Sequence, residues 1–157
     1  MKIEALIIHH SYSMWGNREV INAWHRARGW KGIGYHRVIC NGFPTYASWA
    51  KGQRLDAWDG KIQQGRPDTE AGAHTVGWNG ESLGICLIGN FDADLPTPKQ
   101  WAALIDACVR LCRRYSLTAE DIHGHREFAP KSCPGRLFPL EALKEIVASS
   151  LAPALVG

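Results

Sequence analysis

The sequence predicts an α/β fold in which a single mixed β-sheet is flanked by helices. Short apolar runs of strand length, at residues 2–8 and 82–89, alternate along the chain with segments at helical spacing, at residues 17–28 and 98–115. The chain has 157 residues, which is the usual size of one domain. Because strands that alternate with helices form a sheet covered by those helices, we expect one domain over residues 1–157.

The composition is that of an ordinary globular domain. Apolar residues make up 45% of the chain and charged residues 21%. The net charge of +3 permits a polyanionic partner but requires none, and we expect no nucleic-acid partner. No apolar stretch reaches the roughly 20 residues of a membrane span, and the N-terminal apolar run is too short for a signal peptide. We therefore expect a monomer that is made in a cytoplasm and has no signal peptide or membrane span.

The first strand, at residues 2–8, runs directly into two histidines, His9 and His10. Adjacent strand residues point to opposite faces of a sheet, so only one of the two can face a given site. The pattern does not decide which one does. The helix that follows, at residues 17–28, begins at Asn17, a residue type that caps helix N-termini.

The middle of the chain predicts two further strands before the central one. Residues 34–40 and 61–64 have strand-like composition. Residues 43–58 between them show no clear period and predict a long surface loop that contains at most one helical turn. Residues 71–79 are glycine-rich and irregular. The continuous apolar run at residues 82–89 indicates a strand that is buried on both faces.

The C-terminal half predicts two helices. The first covers residues 98–115, where apolar residues recur at three and four, and the second covers residues 137–150. Cys108 and Cys112 lie one turn apart in the apolar stripe of the first helix, which predicts buried core thiols. The five cysteines are odd in number and contain no CxxC pair, which argues against a disulfide framework. Residues 152–157 predict a flexible tail.

The segment at residues 122–135 is the densest cluster of reactive side chains. Its prolines and glycine indicate a rigid loop rather than a helix or a regular strand. Imidazole and thiolate are ligands that zinc prefers, and a catalytic zinc site needs three protein ligands and one open position. The two strand-end histidines could supply the third ligand. With seven histidines in the chain, a catalytic zinc and a coincidence both remain open. The reactive residues of the segment are His123, His125, Glu127, Lys131 and Cys133.

Five sequence motifs together resemble one known family, and they occur in that family's order. The chain resembles the zinc amidases of the N-acetylmuramoyl-L-alanine amidase type 2 family, which includes phage endolysins of the T7 lysozyme type and animal peptidoglycan recognition proteins. The resemblance spans roughly residues 5 to 140. The motifs are IIHHS (7–11), GYH (34–36), GAHTVGWN (72–79), SLGICLIGNF (82–91) and HREFAPKSCPG (125–135).

The resemblance implies the fold of that family and a set of functional residues. The implied zinc ligands are His9, His125 and Cys133. The implied catalytic residues are Tyr35 and Lys131, and the implied substrate-binding residues are His74 and Asn79.

Glu127 lies within the last motif, but its role stays open. It could transfer protons, or it could orient a ligand imidazole. The chain also departs from the family pattern, because residues 44–57 look inserted after the second strand. We expect this insertion to overhang the substrate groove.

The implied activity is zinc-dependent hydrolysis of the lactyl amide bond between N-acetylmuramic acid and L-alanine of peptidoglycan. The implied role is that of a phage or prophage endolysin, which reaches the periplasm and cell wall after another factor breaches the membrane. The alternatives are a cytoplasmic amidase that recycles wall fragments and a non-catalytic recognition module that binds muropeptides. Binders in the family that lost catalysis usually lack the cysteine ligand, and this chain keeps Cys133.

Overall fold

A five-stranded mixed sheet lies between helices in the computed structural model, which describes residues 1–154. The predicted fold class is therefore confirmed. The strands are β1 (Ala5–His10), β2 (Arg37–Asn41), β3 (Asp59–Gln64), β4 (Ser82–Leu87) and β5 (Ile122–Gly124). The helices are α1 (Arg18–Ala27), α2 (Tyr46–Ala50), α3 (Pro98–Tyr115) and α4 (Leu140–Leu151).

The strand order β3-β2-β4-β1-β5 places β1 between two parallel neighbours, β4 and β5. Strand β2 is also parallel to β4, whereas β2 and β3 form an antiparallel pair. Parallel strands have their carboxyl ends at one edge of the sheet, where open α/β sheets bind their ligands. The end of β1 and the end of β5 therefore meet at that edge.

The two faces of the sheet have different packing partners. Leu6 and Ile8 of β1 belong to the larger core cluster, together with Leu104 of α3 and Leu143 of α4. The opposite face packs a smaller cluster that includes Ile21 of α1. Since strand residues alternate between faces, His10 shares the face of Leu6 and Ile8, and His9 points toward the side of α1.

Side-chain caps fix the starts of α1 and α3, and the cap of α1 is the predicted one. The Asn17 side chain accepts a hydrogen bond from the Val20 amide at 3.0 Å, and Thr97 forms a reciprocal capping box with Gln100. The side-chain amide of Gln100 also donates to the carbonyl oxygens of Ile39 and Ile88, at 3.1 and 2.8 Å. These contacts fix the start of α3 against the sheet.

The interior thiols behave as the sequence predicts. Cys108 and Cys112 are buried in the core cluster between the sheet and α3. All five cysteines are free, and Cys133 is the only one of them that is not fully buried.

Strand β5 is the main difference from the sequence-based prediction, which placed residues 122–135 in a loop. Its three residues pair with Leu6, Ile7 and Ile8 of β1, and a tertiary contact of this kind leaves no periodicity to detect. Strand β1 is shifted to Ala5–His10, and α4 begins at Leu140 rather than at residue 137.

Residues 43–58 contain more structure than the predicted loop, because they include α2 and a 3-10 turn at Asp56–Trp58. The predicted tail at 152–157 extends past the described residues. Across residues 1–154, the helices are each too short or too polar to cross a membrane.

A partly buried ion pair connects β2 to the segment after β3 and to the end of α3. The Arg37 guanidinium donates to both carboxylate oxygens of Asp68, at 2.6 and 2.9 Å, and the Tyr115 hydroxyl donates to the same carboxylate at 2.9 Å. Burial by itself would raise the pKa of Asp68, but the hydrogen bonds from Arg37 and Tyr115 outweigh it and lower that pKa. The ionised carboxylate therefore stabilises the folded chain.

We predict that Asp68→Asn lowers the free energy of unfolding at pH 7 by about 1.5–3 kcal/mol, the contribution of hydrogen bonds to a charged group. Because the folded-state pKa is depressed, this contribution is present at neutral pH and is lost as the pH falls below about 4. Urea unfolding at pH 7 and pH 3 measures both effects. The matched control is Asp106→Asn, which breaks the exposed pair with Arg110 and should change stability little. A pH-independent difference would contradict the assignment.

Candidate metal and catalytic site

Three potential metal ligands from distant parts of the chain meet at the carboxyl edge of the sheet. His9 lies near the end of β1, His125 follows β5, and Cys133 lies in the loop after it. One ligand atom from each lies within 4.8 Å of the other two. His9 Nδ1 and Cys133 Sγ are 3.7 Å apart, and the His9 and His125 ring centroids are 4.6 Å apart.

Hydrogen bonds from the backbone and the side chain of Arg126 close the loop that carries His125 and Cys133. The Arg126 amide donates to the Cys133 carbonyl at 2.7 Å, and the Arg126 guanidinium donates to the Gly135 carbonyl at 3.0 Å. Gly135 has φ of +116°, and a Cβ there would lie 2.3 Å from the Phe91 backbone, so only glycine fits. The loop is therefore held against the segment after β4.

The two imidazoles are already in the neutral form that binds a divalent cation, whereas the thiol is not yet in its thiolate form. Burial lowers the pKa values of His9 and His125. The neighbouring histidines and Lys131 lower the pKa of His9 further, and Lys131 lowers that of His125, so both imidazoles are neutral at pH 7. Burial raises the pKa of Cys133 to about 11, although the His10 amide and Lys131 oppose this. A metal that binds here must displace one proton, from the thiol.

The structure separates the two strand-end histidines, between which the strand pattern alone could not choose and of which the resemblance implied His9. His10 points to the opposite face from His9, where its Nδ1 accepts a hydrogen bond from the Phe91 amide at 3.0 Å. Its ring also lies against Tyr12 and Phe91. His9, which is 1% exposed, is the histidine that faces Cys133.

Tyr35 lies next to the ligand cluster, just before β2. Its ring centroid is 5.0 Å from that of His9. Burial raises the pKa of Tyr35 well above its ordinary value, and the thiols of Cys86 and Cys133 raise it further. The phenol is therefore protonated at neutral pH and is available as a hydrogen-bond donor.

Two cavities of about 290 and 380 Å³ form one groove that passes over the cluster. Both cavities share Arg28, Tyr35, His125 and Lys131. Among residues 1–154, no acidic side chain lines either cavity, so the groove is basic. Sequence reasoning missed Arg28, which follows the last residue of α1 and carries no motif signal.

His74 and Asn79 lie in the wall of the larger cavity, but the ring nitrogens of His74 and the side-chain oxygen of Asn79 bond within the protein. His74 Nδ1 lies 3.0 Å from His9 Nε2. The Asn79 side-chain oxygen accepts from the amides of His74 and Thr75 at 2.8 and 2.9 Å. Both side chains thus shape the loop behind the cluster, and their contact with a substrate stays a prediction.

Glu127 contacts a different histidine from the one that sequence reasoning considered. One carboxylate oxygen lies 3.0 Å from His123 Nδ1, and the other accepts from the Gly124 amide at 2.6 Å. The carboxylate closes the turn after β5 and does not reach the His125 ring. It is also absent from the lining of both cavities within the described chain. Neither of its two proposed roles fits this position.

The expectation that residues 44–57 overhang the groove is wrong. Within the described chain, no residue of this segment lines either cavity. Its helix α2 packs instead in an exposed aromatic cluster, in which the Tyr46 ring lies 5.9 Å from that of Trp15 and 5.7 Å from that of Trp49. The segment therefore packs against Trp15 of the loop after β1, and Trp15 in turn contacts Trp24 of α1.

Comparisons with known proteins agree with this geometry. Residues 1–136 match the family model described as N-acetylmuramoyl-L-alanine amidase. The endolysin of Escherichia phage T7 is 34% identical over 125 residues, which cover 76% of this chain and 69% of that protein. Peptidoglycan-recognition protein LB of Drosophila melanogaster is 34% identical over 149 residues, which cover 85% of this chain and 55% of that protein.

A solved structure has the same architecture. The N-acetylmuramoyl-L-alanine amidase LysC from Clostridium intestinale superposes with a TM-score of 0.77 at 30% identity. The superposition covers 92% of this chain and 85% of that one.

We predict that the Cys133 thiol of the metal-free protein is alkylated slowly at pH 7. The rate should rise about tenfold per pH unit up to pH 10, because only the thiolate reacts and the pKa is about 11. Iodoacetamide labelling followed by mass spectrometry measures this rate. Cys133→Ser is the control, since the other four thiols are buried. Rapid labelling that does not change with pH would contradict the raised pKa.

Proposed function

The chain belongs to the N-acetylmuramoyl-L-alanine amidase family, and we propose that it uses zinc to hydrolyse the lactyl amide bond between N-acetylmuramic acid and L-alanine of peptidoglycan. The observation that carries this proposal is the convergence of three ligand atoms within 4.8 Å of one another at the centre of a basic groove. His9, His125 and Cys133 are the proposed ligands. The groove that crosses them is the proposed substrate site.

The donor set supports zinc among the common divalent ions. Two imidazole nitrogens and one thiolate are ligands that zinc binds, whereas magnesium and calcium prefer oxygen. Three protein ligands also leave one position open, as catalytic zinc sites do. When bound, zinc supplies a nucleophile at neutral pH by lowering the pKa of a coordinated water to about 7.

Lys131 is proposed to stabilise the negative charge that develops on the carbonyl oxygen. It lines both cavities beside His125, and no acidic side chain among residues 1–154 shares that lining. A donor aimed at a developing oxyanion lowers the barrier because the charge is smaller in the ground state.

Tyr35 is proposed to donate a hydrogen bond to the reacting amide. The raised pKa keeps its proton in place at neutral pH, so the phenol acts as a donor and not as a base. Hydrolysis breaks the carbon–nitrogen bond, and the departing L-alanine nitrogen must gain a proton. We propose that the Tyr35 hydroxyl assists that transfer, because the Tyr35 ring lies 5.0 Å from that of His9.

The proposed biological role is that of a phage endolysin. Endolysins from phages T7, T3 and KP32 are 33–34% identical to this chain, and each match covers 76% of it. A monomer of this kind would act on the cell wall after another factor breaches the membrane. The intact trio of ligands, with Tyr35 and Lys131, favours an enzyme over a recognition module that only binds muropeptides.

We predict that the purified protein releases peptides with free L-alanine amino termini from peptidoglycan sacculi. Chelation should abolish the release, and added zinc should restore it. Cys133→Ala should remove activity because it leaves only two protein ligands. End-group labelling and mass spectrometry identify the products. New reducing sugar ends, or release that persists after exhaustive chelation, would show that the proposed reaction is wrong.

We predict that Lys131→Met lowers kcat by about 10²–10³-fold, the usual loss when one oxyanion donor is removed. Zinc affinity should fall little, because methionine preserves the volume of the side chain and Lys131 is not a ligand. Initial rates on a soluble muramyl peptide, together with zinc titration, separate the two quantities. Lys51→Met, at an exposed lysine outside the groove, is the matched control. An unchanged kcat would exclude Lys131 from catalysis.

A further inference from the structure

Behind the proposed metal site, a chain of buried polar groups leads away from His9. We propose that His74 is a positioning residue, which fixes the tautomer and the orientation of His9 through hydrogen bonds that end on the Trp78 carbonyl. This inference rests on the proposed metal site, since it concerns how His9 is prepared to bind the ion. It assigns His74 a role different from direct substrate contact.

The donor and acceptor in each of these hydrogen bonds can be assigned by starting from the last one, at the Trp78 carbonyl. A backbone carbonyl can only accept hydrogen bonds, and the Ser82 hydroxyl lies 2.7 Å from the Trp78 carbonyl, so Ser82 must donate. The Ser82 oxygen is then free to accept from His74 Nε2, at 3.5 Å. In the proposed arrangement His74 carries its proton on Nε2, where Ser82 can accept it, and its Nδ1 is bare.

The tautomer of His9 follows from that of His74. A bare His74 Nδ1 is an acceptor, and it lies 3.0 Å from His9 Nε2, so His9 donates from that nitrogen. A neutral imidazole carries one proton, which leaves His9 Nδ1 unprotonated. That nitrogen is the one that lies 3.7 Å from Cys133 Sγ. This series of hydrogen bonds therefore leaves His9 Nδ1 unprotonated and facing the proposed metal position.

Thr75 provides a second contact for the same proton. Its hydroxyl oxygen lies 3.0 Å from His74 Nδ1 and 3.4 Å from His9 Nε2. The three groups are buried, with 1%, 9% and 2% exposure for His9, His74 and Thr75. Burial strengthens these hydrogen bonds because little water competes for them.

Backbone packing holds the His74 ring in place. A Cβ at Gly84 would lie 2.6 Å from the ring, and a Cβ at Gly72 would lie 2.4 Å from it, so glycine is required on both sides. The Asn79 side chain fixes the ends of the same turn by accepting from the His74 and Thr75 amides. The ring therefore has little freedom to leave His9.

The bonding of the ring also separates this role from substrate binding. Both ring nitrogens of His74 have partners inside the protein, Nδ1 with His9 and Thr75 and Nε2 with Ser82. Only ring carbons remain to face the groove. Outer partners of a metal-bound histidine commonly change metal affinity 10–100-fold, and a carboxylate or a carbonyl usually fills this position. Here an imidazole fills it and passes the constraint on to a carbonyl.

The test compares zinc affinity in variants of the full chain by competition with a chromogenic chelator. His74→Leu keeps a similar volume but removes the acceptor, and it should bind zinc about 10–100-fold more weakly than the parent chain. His74→Gln retains an acceptor oxygen and should recover most of the affinity. His25→Leu is the matched control, because this buried histidine accepts from the Gly34 amide and has no bond to His9.

A second measurement examines the tautomer without any metal. The ¹⁵N chemical shifts of the imidazoles in the zinc-free protein should place the His9 proton on Nε2. In His74→Leu the His9 signals should shift toward a mixture of tautomers. This readout does not depend on activity, and the parent chain alone provides it if a variant fails to fold.

The possible outcomes separate this inference from the proposed function. A parent chain that binds no zinc would overturn the proposed metal site. If the parent chain binds zinc but folded His74→Leu binds it equally well, the positioning role is wrong. The role is also wrong if His9 carries its proton on Nδ1, or if folded His74→Gln binds zinc no better than His74→Leu.

Discussion

The pairing of β1 with two parallel neighbours is the constraint on which the site depends. Strand β1 brings His9 to the carboxyl edge, and β5 ends one residue before His125 at the same edge. Hydrogen bonds within the following loop then return Cys133 to His9, although the two residues lie 124 positions apart in sequence. The sheet thus positions two of the three proposed ligands, and the loop adds the third.

Sequence reasoning predicted the fold class and the long helices because their signals are local. The apolar stripe of α3 predicts a helix over residues 98–115, which are its observed bounds. Strand β5 was missed because three residues carry too little periodicity, and only their pairing with β1 makes them a strand. Strand periodicity likewise could not choose between His9 and His10; the family resemblance pointed to His9, and the packing of helices on each face explains why His9 is the one that faces the site.

Side-chain direction in the irregular segments was the least predictable property. The motif order pointed to His9, His125 and Cys133, and the structure brings their ligand atoms together. The same motifs could not show that Glu127 contacts His123, or that the polar atoms of His74 point inward. The Glu127 carboxylate accepts from the Gly124 amide only three residues earlier, whereas His74 contacts His9 across 65 positions, and a contact of that separation follows from the fold and not from sequence spacing.

The high pKa of Cys133 has a consequence for the metal-free protein. Peroxide oxidises thiolates and not thiols, so a thiol with a pKa of about 11 converts slowly to sulfenic acid at neutral pH. The four remaining thiols are buried, and their burial shields them from oxidants. In the metal-free chain, the sulfur of the proposed third ligand therefore oxidises slowly at neutral pH and stays available as a thiol.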